Sequence, residues 1–416
     1  MQLRSNRAEI AISALSVRGA FISKQYIPIW AVFLPPKLWQ NPFPTGGGFV
    51  KKRLIALLAV MLVAVALAPS ASTNAAQPFT PVPNDQTKMK LVKTITGGIT
   101  PKSVRASSSG LVAAFNMMYR HTITIYDVNK MKLVKTIYDK VNLSKFGFTQ
   151  YKGDLRGAPV EGAFSPDGKY LYATNYSMYG GGFGPEGSDL CNSDAGLDDS
   201  FLYRINLENY KIDNVYQVGA VPKVVEVSPD NKYILVTNWC GFSLTVIDIA
   251  KEKVIKTVPI GRHPRGIIVS PDSKFAYVAE MGGVYVRRVN LQNWKIKKIY
   301  VGSGPRALVM SPDGRYLYLT LNTSGGVVKF DLQTNKRIKE TITGSQARSL
   351  AISDDGTALF VVHWGSGTVV KLRSSDMKIL QKVNVCDAPI GVTFDPLTDR
   401  TWVGCYRGQI KVFDNR

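Results

Sequence analysis

Ser165-Pro-Asp-Gly-Lys-Tyr-Leu-Tyr-Ala-Thr-Asn175 reads as a tight turn followed by one short strand. Proline presets φ for the turn, Asp and Gly tolerate its corner, and the Tyr, Leu and Thr that follow suit a pleated surface. The core of this stretch returns at Ser228, Ser270 and Ser311, with Ser353-Asp-Asp-Gly356 as a variant, and from Ser228 the spacings are 42, 41 and 42 residues. Each turn lies six residues after a proline, as in Gly219-Ala-Val-Pro222 and Gly261-Arg-His-Pro264, and Ala347 replaces that proline before Ser353. Two degenerate copies, residues 101–107 and 389–395, bring the number to seven.

Each copy holds four strands. In the third they are predicted at 223–227, 232–237, 244–249 and 254–260, with Ser228-Pro-Asp-Asn231 as the first turn. A four-stranded unit of about 40–45 residues is a propeller blade. The fold class is therefore all-β: a seven-bladed β-propeller of four-stranded antiparallel blades. The chain stops at Arg416, after the third strand of the last copy, and a spare strand lies before the first copy in Lys88-Met-Lys-Leu-Val-Lys-Thr-Ile95, repeated at 130–137. Pairing residues 88–96 with 409–414 lets the N-terminal strand complete the last blade and removes two exposed sheet edges.

The Gly-x-x-Pro signature, residues 165–175 and Val246-Ile-Asp248 together resemble the YVTN-type, YncE-like β-propeller repeat family, over residues 88–416. The resemblance implies a shortlist of roles: some similar propellers are lactonases, some bind nucleic acid, others sit on cell surfaces.

Lys51-Lys-Arg53, a fifteen-residue apolar run at 54–68 and small or polar residues at 69–76 form a secretory signal peptide over 50–76. The run is short for a membrane span, which needs ~20 residues. Residues 1–49 then read as a mis-assigned start or a disordered extension, with translation beginning at Val50, and 77–87 as a linker. The expected location is secreted, periplasmic or cell-surface, with no transmembrane span in the mature chain, which is expected to be a monomer. Of the formal charge of +22, +15 lies beyond residue 76. Such a field draws polyanions, whether nucleic acid, anionic polymer or anionic lipid surface, and an anionic polymer or protein partner is expected.

Departures from the repeat gather around the second blade. Residues 176–200 extend the loop after its second strand, and 138–157 lengthen its entry. Loops of that length on a rigid scaffold are where recognition resides. Cys191 falls in the first insertion, Cys240 in the matching loop of blade three, Cys386 at the Gly place before the first strand of blade seven, and Cys405 at the end of the neighbouring second strand. The register predicts disulfides Cys191–Cys240 and Cys386–Cys405.

The position after each proline reads Lys102, Val160, Lys223, Arg265, Arg306, Arg348 and Ile390. Blade symmetry places the five bases around one channel mouth, where converging cations bind phosphate, carboxylate or sulfate. The alternative is that the bases cap the core with solvated heads. The ends of the second strands add Asn175, Asn238 and His363 to the candidate ligand-binding residues, with Trp239 and Trp364 one residue further on.

The three histidines, His121, His263 and His363, offer no Ser-His-Asp spacing, and no HExxH or Gly-rich phosphate loop is present. Glu161, Glu226 and Glu280 with His263 and Arg265 compose a lactonase-like alternative. No cofactor is expected; a calcium site in loop 189–199, built on Asp189, Asp194, Asp198 and Asp199, is weakly supported, since the spacing is not that of an EF-hand. The leading expectation is an exported, non-catalytic binding module for an anionic ligand or polymer (nucleic acid, glycan or protein). A lactonase-like hydrolase and a structural cell-surface scaffold are the alternatives.

Overall fold

The computed structural model describes residues 82–191 and 196–416. The expectations placed on residues 1–49 and 50–76, and on Asp194, lie outside them. Seven antiparallel sheets form a propeller, and among the described residues the only helical segments are two short 3-10 turns. Blade three shows the plan, with strands Pro222–Val227, Tyr233–Asn238, Ser243–Asp248 and Lys253–Pro259 paired in that order from the axis outward.

The repeat works as local chemistry. In its turn, Ser228 Oγ donates to Asp230 Oδ1 at 2.6 Å and accepts from Tyr233 N at 2.8 Å. Asn231, in the position Gly168 holds in blade two, has φ 57°, the left-handed conformation that Asn and Gly tolerate. At the strand's far end the motif threonine reaches the next blade. Thr174 Oγ1 donates to the Lys223 carbonyl (2.7 Å), Thr237 to that of Arg265 (2.8 Å) and Thr320 to that of Arg348 (3.2 Å). Blades two, three and five thus each fix the backbone of the next blade's basic residue.

The core lies between blades. Val224, Leu235 and Leu244 of blade three pack with Ile267, Val269 and Val278 of blade four in one buried cluster. The ring closes as the repeat predicts: Lys90–Ile95 pairs with Gln409–Asp414, Lys90 opposite Asp414 and Ile95 opposite Ile410.

Two differences stand out. Blade two has a fifth, two-residue strand, Lys140–Val141, beside its inner strand Leu155–Phe164, because the lengthened entry folds back on the sheet. Residues 82–89, read mostly as linker, dock on blade six: Asn84 N donates to Asp355 Oδ2 (2.8 Å), Lys371 Nζ to Thr87 O (2.9 Å), and Met89 N to Gln381 Oε1 (2.7 Å).

Candidate functional site

The residues after the prolines converge. In blades three to seven the first residue of the inner strand pairs with the last of the second, as in Pro222 with Asn238 and Pro264 with Glu280, and the register shifts immediately afterwards. Such a shift re-aims the next side chain. Lys102, Lys223, Arg265 and Arg306 have no exposed surface and Arg348 is 4% exposed. The reading of solvated heads is corrected: these cations are buried.

They are covered by a second tier at one repeat position, just past the second strands in six blades and inside the longer Tyr170–Tyr179 in blade two: Met117, Tyr176, Trp239, Met281, Asn322, Trp364 and Tyr406. Lys102 Nζ lies 3.7 Å from the Tyr406 ring centre, Lys223 Nζ 4.3 Å from Tyr176, and the guanidinium of Arg265 5.3 Å from Trp239. Arg348 lies over Trp364 at 5.0 Å, and Arg306 Nη1 contacts Asn322 Oδ1 at 3.2 Å and Met281 Sδ at 3.8 Å. Aromatic faces partly compensate desolvated cations. Only Trp239 and Trp364 of this tier are evident from the sequence; their repeat position, followed around all seven copies, is the signal that finds the rest.

Burial, then mutual repulsion, acts on the group. Burial is the main force that brings Lys223 down to about 7 and Arg265 to about 9; it also lowers Lys102 and Arg306 well below their ordinary values, with neighbouring cations adding to the effect. One carboxylate enters the ring from the insertion. Asp189 Oδ1 is 2.5 Å from Lys223 Nζ and accepts from Tyr176 OH at 3.3 Å, while its carbonyl accepts from Trp239 Nε1 at 2.9 Å. Burial works against its charge, but Lys223 and Arg265 outweigh it and hold the carboxyl below its usual range. Among the described residues, Nε and Nη2 of both Arg265 and Arg306 have no hydrogen-bond partner. Deeper in the channel, Arg105 Nη2 grips both oxygens of Glu226 (2.9 and 2.7 Å), and burial pushes the Glu161 carboxyl well up.

The remaining predicted residues are placed differently. Asn175 Nδ2 donates to Phe201 O (3.1 Å), and Asn238 Nδ2 to Ser243 Oγ (3.0 Å) and Thr245 Oγ1 (2.8 Å). His363 is buried between Thr343 (2.7 Å) and Thr368 (3.3 Å), and burial lowers it to about 4. These three side chains are committed to holding strands and loops together. Glu280 is likewise engaged, with Arg287 Nε at 2.7 Å, and His263 stacks on Trp239 at 4.4 Å. Both predicted disulfides are formed, Cys191–Cys240 and Cys386–Cys405.

The calcium reading fails on the described carboxylates. Asp189 turns to Lys223, Asp198 accepts from Gly184 N (2.5 Å), and among the described residues no group of three His, Cys, Asp or Glu could hold a metal ion.

On the side of blades one, two, six and seven, the second tier borders an open basin of about 1310 Å³, whose lining includes Met117, Met118, His121, Tyr179, Trp364 and Tyr406. His121 Nδ1 is 2.8 Å from the Gly157 carbonyl. The carbonyl can only accept, so Nδ1 donates, and in the neutral ring that leaves the lone pair on Nε2.

Residues 197–273 match the family described as YNCE-like beta-propeller, and residues 302–393 match the Cytochrome D1 heme domain family. The first match and the seven blades together bear out the resemblance read from the repeat. No curated protein matches. Among solved structures the chain is similar to Kuenenia stuttgartiensis hydrazine synthase, at 16% identity and a TM-score of 0.59, over 76% of this chain and 96% of that one. At that identity the likeness speaks for the fold. The heme-domain match overturns the expectation that no cofactor is involved.

Proposed function

We propose that this protein is an exported binding propeller whose channel mouth takes a small carboxylate-bearing ligand, and that heme is the cofactor class its top face is equipped to hold. The observation that carries the reading is the set of unpartnered guanidinium donors on two fully buried arginines, Arg265 and Arg306. Buried donors without acceptors each cost ~1–3 kcal/mol, and more when charged. Five buried bases share Asp189, the one carboxylate among the described residues of the insertion to reach them, so a further anion is favoured. A polymer backbone suits an exposed ridge of cations; a ring beneath an aromatic tier suits a small ligand with projecting carboxylates.

Heme, a carboxylated tetrapyrrole, fits the donor set. His121, anchored through Nδ1, offers the Nε2 of its imidazole, Met117 and Met118 offer thioethers, Trp364 and Tyr406 offer ring faces, and the arginines offer carboxylate partners. His363, inside the segment matching the heme family, is closed off between two threonines. When bound, heme supplies redox or oxygen chemistry at its iron. Export is supported by the signal pattern at 50–76 and by two disulfides, which persist in oxidising compartments.

Titration with heme and with iron-free protoporphyrin, followed by the Soret band and tryptophan quenching, tests the reading. Both should bind. The double substitution Arg265→Gln/Arg306→Gln should weaken both by about tenfold or more, the loss of a charge-assisted hydrogen bond being worth ~1.5–3 kcal/mol. His121→Ala should change the heme spectrum alone. If the double variant binds porphyrins and citrate as tightly as the wild type, the basic ring is structural and the reading falls.

A further inference from the structure

Asp189 stands where a ligand's carboxylate would. It belongs to the blade-two insertion, not to the repeat, yet its carboxylate reaches Lys223 at 2.5 Å and acts electrostatically on Lys102, Arg265 and Arg306 as well. Its placement is over-determined. Tyr176 OH donates to the carboxylate, Trp239 Nε1 donates to the Asp189 carbonyl, Cys240 Sγ lies 3.1 Å from the Ser188 carbonyl, and two residues further on Cys191 is bonded to Cys240. The disulfide therefore ties the segment to the residue that follows Trp239, in the tier covering the ring.

We propose that Asp189 is a tethered internal ligand: it occupies part of the carboxylate site at the channel mouth and must be displaced from Lys223 before an external carboxylate can use the full set of cations. This rests on the reading of the mouth as a carboxylate site and adds its regulation. A group held by a short tether competes as though present at millimolar concentration or above. Only ligands with more than one carboxylate gain enough from Lys223, Arg265 and Arg306 together to win. The insertion thereby sets specificity, admitting polycarboxylates and rejecting simple monoacids.

The probe is citrate, with acetate for comparison, measured by calorimetry at low salt on the full mature chain. Asp189→Asn keeps the side chain's shape and removes its charge. Citrate should bind this variant about tenfold or more tighter than the wild type, within the usual 5–150-fold range of intramolecular coupling, and acetate should become detectable. Cys191→Ser/Cys240→Ser leaves Asp189 in place and loosens its tether, and should tighten citrate binding by a smaller factor. That second variant keeps the test open if Asp189→Asn folds poorly. If the wild type binds citrate and neither variant binds it more tightly, Asp189 is a structural counter-ion and the inference is overturned while the carboxylate site stands. If wild type and both variants all fail to bind citrate, the carboxylate site itself is refuted, and this inference with it.

Discussion

At His363 the imidazole is closed between Thr343 and Thr368, and burial holds it near 4 against an ordinary value of 6.5. The folded state thus binds a proton less readily than the unfolded chain. The stability this site contributes is full above pH 6.5 and is lost as pH falls from 6.5 towards 4. A shift of that size corresponds to roughly 3 kcal/mol. Urea unfolding of the wild type should weaken over that window, and His363→Asn should flatten the slope there; an equal slope in both proteins would place the acid sensitivity elsewhere. At Lys223 the sign of the proton effect is the same. Its pKa of about 7 lies below the unfolded 10.5, so the burden of burying its charge grows as pH falls from 10.5 to 7. The residue type and position were legible in the sequence. The burial was not, because a register shift after the proline turns the head inward.

At the scale of elements, the outer strands are lysine-rich and exposed, as in Lys90–Ile95 and its sequence twin within Lys132–Tyr138. Lysines on an outer edge deter strand addition by a second molecule, which is sufficient reason for much of the positive charge. Lys90–Ile95 also closes the ring. Truncation through Ile95 should leave Gln409–Asp414 as an open edge and remove the contacts that residues 82–89 make with blade six. The expected result is a Tm lower by roughly 5–10 °C together with aggregation, read by thermal unfolding and light scattering. A monomeric variant with unchanged Tm would show that closure contributes nothing. The Cys386–Cys405 bridge links the loop entering the inner strand of blade seven to the end of its second strand, across 19 residues. Replacing both with Ser should cost up to ~3 kcal/mol in the chain-entropy model, measured by denaturant midpoint.

At the scale of the whole molecule, the cations that meet at the mouth come from blades one, three, four, five and six. Ligand binding there should therefore couple to the stability of the entire ring. An anion that binds the folded state alone, supplied at 100 times its Kd, adds about 2.7 kcal/mol. Citrate should raise Tm, and salt should erode the gain as it competes for the same cations. A Tm rise that survives in Arg265→Gln/Arg306→Gln would assign the effect to the outer lysines instead.

The sequence by itself determined the seven repeats, the strand order within them, the closing strand and both disulfide pairings. Each of these follows from local chemistry repeated at a fixed period: a Ser-Pro-Asp turn, an alternating strand, a cysteine at a known register. It also placed five bases at one repeat position. Only the tertiary structure decided that those bases lie buried under Met117, Tyr176, Trp239, Met281, Asn322, Trp364 and Tyr406, and that Asp189 enters among them. The physical reason is that convergence depends on ring closure, which brings Lys102 and Arg348 to one axis across 246 residues of sequence. The aim of the heads in blades three to six depends on a register shift that no side-chain pattern announces, and the path of the insertion on a disulfide to the next blade.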